Sequence, residues 1–217
     1  MSRAREDILG KLEAAGGRRP GAPPAPIPPT ARIAPRQPAG PETELTQLLT
    51  EIGRLNGVTR RLANREALAA SLAELVRAEG VKRATCWTTP DLEAWGVAAT
   101  LQRLGVEIVP GHADKQRVAS CELGVTGVDA ALPETGTLVL MSSPERPRVA
   151  SLLPRVHLAL LRPVVLRPDL HQVFAETREA GYTVLISGPS RTADIELTLT
   201  LGVHGPKSLY VWVMDAV

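Results

Sequence analysis

A helix start set between two short apolar runs constrains this chain most. Residues 81–87, VKRATCW, read as a strand, and Thr89-Pro90-Asp91 follows directly. Threonine accepts an unpaired backbone N–H, proline fits the first helical position, and aspartate suits the positive end of the helix dipole. That helix is expected to run toward Leu104 and stop at Gly105, after which Val106 to Val109 supplies another strand. Upstream, Leu45, Leu48, Leu49, Ile52 and Leu55 have helical spacing, with Gly57 beyond them. Asn64 is placed to cap a second helix carrying Leu68, Leu72, Leu75 and Val76, which Gly80 closes. Helix and strand in alternation predict an α/β fold, a mostly parallel sheet flanked by helices.

The middle of the chain changes character. Cys121 to Ser142 carries Gly124, Gly127 and Gly136 among short apolar runs and reads as strands and tight turns. LALL at 158–161 is a strand, and VVL at 164–166 offers another. Leu170, Val173, Phe174 and Thr177 mark a helix ending near Gly181, followed by strands at Thr183 to Ser187 and Ser208 to Met214. Between those two strands the pattern is open. Asp194 to Leu201 alternates polar with apolar, which favours a strand, yet Ile195 and Leu199 are four apart and Ser190 is placed to cap a helix. The flanking strands favour a crossover helix.

Residues 1–40 carry seven basic and three acidic side chains, and the remaining 177 carry 18 and 20. The positive excess therefore belongs to the N-terminal segment. No basic surface interleaved with aromatics accompanies it, which argues against nucleic acid as a partner. Residues 1–15 contain a short helix, from Ser2 to Ala15, with Ile8, Leu9 and Leu12 on one face. Residues 16–41 form a flexible proline-rich linker: eight prolines and four arginines fall within 16–40, without an acid. Such a stretch buries too little apolar surface to offset the ordering of its backbone. The folded domain is expected over residues 42–217. There is no signal-peptide pattern and no apolar run long enough to span a bilayer, so a cytoplasmic location is expected. Cys86 and Cys121 lack metal-type spacing, and no histidine motif for zinc occurs. No metal and no cofactor are assigned to the chain.

Two regions carry candidate chemistry. Gly188-Pro189-Ser190-Arg191-Thr192 leaves a strand, and Arg191 with the hydroxyls of Ser190 and Thr192 suits a carboxylate or phosphate. The alternative is a helix cap in which Arg191 pairs with Asp194 or Glu196. This stretch is not a dinucleotide turn, and GVHGPKS is not a phosphate loop, because Pro206 precedes Lys207. The second region, GVTGVDAALPETGTL at 124–138, sets Asp129 and Glu134 near Thr126, Thr135 and Thr137, with Gly136 in the turn. A carboxylate there acts as base, nucleophile or ligand, or simply closes a polar turn. His157 and His204 are placed either to enter a cleft or to sit hydrogen-bonded at the boundary of the core.

GVTGVDAALPETGTL, SLLPRVHLALL at 151–161 and ISGPSRTADIELTLTLGVHGP at 186–206 together resemble the lactate-utilisation protein C family, also described as the LUD domain. Pro133 before Glu134 is a mild departure from its pattern. The resemblance runs from about Glu42 to the C-terminus. It implies a fold like that of ribose-5-phosphate isomerase, glucosamine-6-phosphate deaminase and coenzyme-A transferase, and it favours a helix at 191–201. It also implies an accessory part in oxidising L-lactate to pyruvate beside two iron–sulfur partner proteins, which carry the redox centres. The matched positions Asp129, Glu134, Thr135, Gly136, His157, Ser190, Arg191, Thr192, Asp194, Glu196 and His204 form its implied site, with Thr126 and Gly188 alongside. Glu134 and His157 are the candidate catalytic groups. The competing expectations are an acyl or coenzyme-A transferase using Glu134 and a noncatalytic small-anion sensor or scaffold.

Overall fold

The computed structural model describes residues 3–15, 36–178, 180–193, 199–202 and 204–215. Residues 1–34 and 35–217 are separate compact units. The first contains helix α1 (Arg3–Ala15), with Ile8, Leu9 and Leu12 exposed.

The second unit opens with α2 (Pro41–Arg54). Its proline occupies the first turn, and Leu45, Leu48 and Ile52 are buried. Strand β1 (Val58–Leu62) follows, unannounced by the sequence because only Leu62 of VTRRL is buried. Helix α3 (Arg65–Glu79) begins where Asn64 accepts from the Ala67 N–H and ends at Gly80, whose φ of 59° is left-handed. Strand β2 (Arg83–Cys86) leads into the Thr89-Pro90-Asp91 start. The single helix expected there is two, α4 (Pro90–Ala94) and α5 (Val97–Arg103), because Gly96 takes φ 68° and breaks the hydrogen-bond ladder.

Then come β3 (Glu107–Ile108), α6 (Lys115–Ala119), β4 (Leu123–Thr126), β5 (Ala130–Leu132), β6 (Thr137–Met141), α7 (Val149–Leu152) and β7 (Val156–Leu161). The strand offered at 164–166 is instead a 3-10 turn, Pro163–Val165; proline has no N–H to donate to a ladder. Helix α8 (Leu170–Glu176) ends before the expected Gly181, and β8 (Thr183–Ile186) follows.

The expected crossover helix at 191–201 is corrected. Strands β9 (Arg191–Ala193) and β10 (Leu199–Leu201) pair antiparallel, Arg191 opposite Leu201 and Ala193 opposite Leu199. The period-2 alternation prevails over the expectation drawn from the flanking strands. Strand β11 (Ser208–Met214) closes the fold.

Six strands form one all-parallel sheet in the order β1-β11-β7-β4-β2-β3. A smaller antiparallel sheet, β5-β6-β8, stands beside it. The central strands β4 and β7 are buried along their whole length, as a sheet covered on both faces requires. Gly124 and His157 are register partners across them. Helix α7 closes over this face: a Cβ on Gly124 would lie 1.8 Å from the Ala150 carbonyl oxygen.

Candidate functional site

His157 is the second residue of β7 and is 1% exposed. Its Nε2 is 2.8 Å from Thr126 Oγ1, two residues along the neighbouring strand, while Nδ1 is buried without a partner. Burial disfavours the charged ring and pushes its pKa down to about 4. At neutral pH the imidazole is uncharged, with one donor and one acceptor nitrogen. It lines a cavity of about 200 Å³ together with Ser187, Gly188, Ser190, His204 and, from α7, Ser151. Gly188 takes φ 94°, and a side chain there would meet the Leu55 backbone, so the turn lies tight against the end of α2. Ser190 is held by its own backbone: its N–H donates to Pro206 and its carbonyl accepts from Gly202. Parts of the chain far apart in sequence therefore meet at one small cavity.

The second motif reaches this cavity through hydroxyl groups. Thr135 Oγ1 is 2.7 Å from Thr137 Oγ1, which is 2.6 Å from Ser187 Oγ on the cavity wall. Gly136 makes the turn possible, with φ 62° and the Ile52 N–H close beneath it. Ser187 and Ser151 went unnoticed in the sequence. Ser187 was findable as the first residue of the SGPSRT turn, whereas nothing in SLLP singles out Ser151.

Other expected residues do not join the cavity. Arg191 is exposed and donates to the Leu55 carbonyl at 2.6 Å, so its guanidinium braces the turn against α2. The helix N-terminus that was to assist it is a strand. Glu134 is 65% exposed, 4.0 Å from Arg36 Nε, and lines neither the His157 cavity nor the cleft at Asp129. Asp129 faces a different cleft, where its carboxylate accepts from the Met141 N–H and from Arg146. Burial raises its pKa, against those hydrogen bonds. Thr192 pairs with Thr200 in the β9–β10 register, and Asp194 and Glu196 lie outside the described residues. Among the described residues no three His, Cys, Asp or Glu groups converge as metal ligands. Burial raises both cysteine thiols, Cys86 to about 12, so they stay protonated.

The LUD domain family model matches residues 45–214, which include the whole cavity. This chain belongs to the LUD domain family. The LUD protein is 35% identical over 141 residues to a lactate utilization protein C from Halalkalibacterium halodurans, spanning 59% of this chain and 61% of that one. It is 33% identical over 159 residues to the Shouchella clausii protein of the same name, spanning 68% and 69%. A crystal structure of a DUF162 family protein from Deinococcus radiodurans superposes with TM-score 0.62 at 22% identity, covering 82% of the LUD protein and 99% of that chain. That likeness concerns the fold. No helix among the described residues is long and apolar enough to cross a membrane.

Proposed function

We propose that this LUD domain protein is an accessory component of cytoplasmic L-lactate utilisation, working beside iron–sulfur partner proteins as L-lactate is oxidised to pyruvate. Two relatives at 33–35% identity carry the name lactate utilization protein C, and that name motivates the role. The fold is read as kin to ribose-5-phosphate isomerase, glucosamine-6-phosphate deaminase and coenzyme-A transferase. Within that role, the His157 cavity holds a small hydroxy- or oxo-carboxylate. One observation carries this: a buried, uncharged imidazole has one nitrogen held by Thr126 and the other unpartnered, on a cavity edged by serines.

Size and charge define the ligand. About 200 Å³ is the share of roughly six or seven waters, enough for a three-carbon acid and little more. The lining supplies hydroxyls and imidazoles but no lysine or arginine. Neither a phosphate nor a carboxylate meets a cation there; the monocarboxylate brings the smaller charge, and its adjacent hydroxyl or carbonyl matches neutral donors and acceptors. Glu134 is exposed, 4.0 Å from Arg36 Nε, and is not part of the cavity lining.

Calorimetric titration of L-lactate and pyruvate into the full chain tests the binding. His157→Phe keeps a ring in place and removes both nitrogens. It is expected to weaken binding about tenfold, the ~1.4 kcal/mol of one hydrogen bond. Wild-type affinity in a folded His157→Phe protein refutes the site. The accessory role is checked separately, by lactate oxidation with the iron–sulfur partners present and this chain omitted; undiminished turnover and assembly would refute it.

A further inference from the structure

The hydroxyl chain beside the His157 cavity has two possible directions. Thr137 stands opposite Ser187, one step beyond the last register pair of β6 and β8, Leu138 with Ile186. Its Oγ1 is 2.7 Å from Thr135 Oγ1 and 2.6 Å from Ser187 Oγ. Thr137 is buried, while both of its neighbours are exposed. Among the described residues, these two hydroxyls are the side-chain partners of Thr137.

Each hydroxyl carries one proton and two lone pairs. Thr137 therefore donates to one neighbour and accepts from the other. In one sense the protons run from Thr135 through Thr137 to Ser187, and Ser187, already accepting, turns its own proton outward. In the opposite sense Ser187 donates to Thr137 and presents only lone pairs. Thr135 meets solvent at the far end, so water satisfies either sense and no buried group is left unpaired.

The cavity lining holds no lysine or arginine, so an anion there is held by neutral donors. Ser151 is already committed: its hydroxyl donates to the Arg148 carbonyl at 3.1 Å. Ser187 lines the same cavity, and Gly188, pressed on the Leu55 backbone with φ 94°, fixes the turn that carries it. A carboxylate at that wall selects the first sense. An O–H···O⁻ bond is stronger than a neutral one, and each hydroxyl behind it is polarised in turn. We infer that Thr137, itself outside the lining, is a positioning residue that sets Ser187 as the donor to the ligand's carboxylate. Thr135 is the solvent-facing end that lets the chain reverse when the cavity empties. This assignment rests on the His157 cavity being the site of the hydroxy- or oxo-carboxylate.

The test is calorimetric titration of L-lactate into the full chain, beside L-lactamide, which keeps the shape and lacks the charge. Thr137→Val keeps the branched side chain and removes the hydroxyl. Its two exposed neighbours turn to water, so the unfolding midpoint is expected to hold. Lactate affinity should fall about fivefold and lactamide affinity by under about twofold, the difference being the charge-assisted part of the bond. Thr137→Ser should restore lactate binding. Wild-type lactate affinity in Thr137→Val overturns the assignment, as does failure of Thr137→Ser to recover it. An equal loss for lactamide also overturns it, because that marks a purely structural effect. Each of these results leaves the cavity reading in place as long as the wild-type chain binds lactate; a wild-type chain that binds none overturns both.

Discussion

At His157 the decisive term is the cost of burying a charged ring, since Thr126 supplies only one hydrogen bond and no carboxylate partner is given. The folded-state pKa is pushed down to about 4, from an ordinary value near 6.5. Folding therefore excludes a proton that the unfolded chain binds. The stability that the neutral ring permits is complete above about pH 6.5 and is lost as pH falls toward 4. At about 1.4 kcal/mol per unit, acidification from pH 6.5 to 5 removes ~2 kcal/mol from unfolding free energy. Urea unfolding of wild type and His157→Phe across that range should show the slope in the first and its absence in the second. Parallel slopes would show that the ring is not buried uncharged. In the sequence, His157 stood equally for a core histidine and a cleft histidine. It is both, because the cavity wall is also the edge of the core.

Among the elements, legibility followed how completely a local rule determined the backbone. Asn64, Gly80 and Pro90 were readable because each supplies the backbone geometry or hydrogen bond that its terminus needs, whereas Thr89 starts α4 in extended conformation without the expected side-chain cap. The antiparallel β9–β10 pair was misjudged for the opposite reason: its alternation is a local β signal, and an argument from neighbouring strands set it aside. That change moves Arg191 from an anion site to a brace on Leu55. Gly124 was visible as a glycine, but its purpose depends on α7, which no periodicity announced. Gly124→Ala would set its Cβ against the Ala150 carbonyl and force α7 off β4. Overpacking against backbone is expected to cost about 3 kcal/mol or more and to abolish lactate binding, because Ser151 leaves with the helix. Gly127→Ala meets nothing within 4 Å and should change stability by under about 0.5 kcal/mol. Equal urea midpoints for the two variants would show that α7 yields easily.

At the scale of the molecule, the compact unit begins with a contact that composition concealed. Arg36 stands in a proline-rich stretch with no periodicity, yet it donates to both oxygens of Glu44, at 2.6 and 3.0 Å, and to Gln47. Its own N–H reaches Asp169, and the Ala39 N–H also donates to Glu44. Glu44 is 4% exposed, so its charge depends on this clasp. The Arg36 hydrogen bond, with help from Ala39, holds its carboxyl below the ordinary value against the cost of burial. Its contribution is therefore present above the usual carboxylate range and fades below it, at lower pH than the His157 transition. Removing residues 1–34 leaves the clasp intact and should leave the unfolding midpoint unchanged. Removing residues 1–40 strands a buried carboxylate. Breaking such a pair costs about 3–5 kcal/mol when fully enclosed; with Arg36 23% exposed, about 2 kcal/mol is expected. Glu44→Gln in the shorter chain should recover part of that loss, because it removes the orphaned charge and keeps the size. A loss that Glu44→Gln leaves untouched would assign the effect to the deleted backbone instead, and the clasp would then play no part in where the folded unit begins.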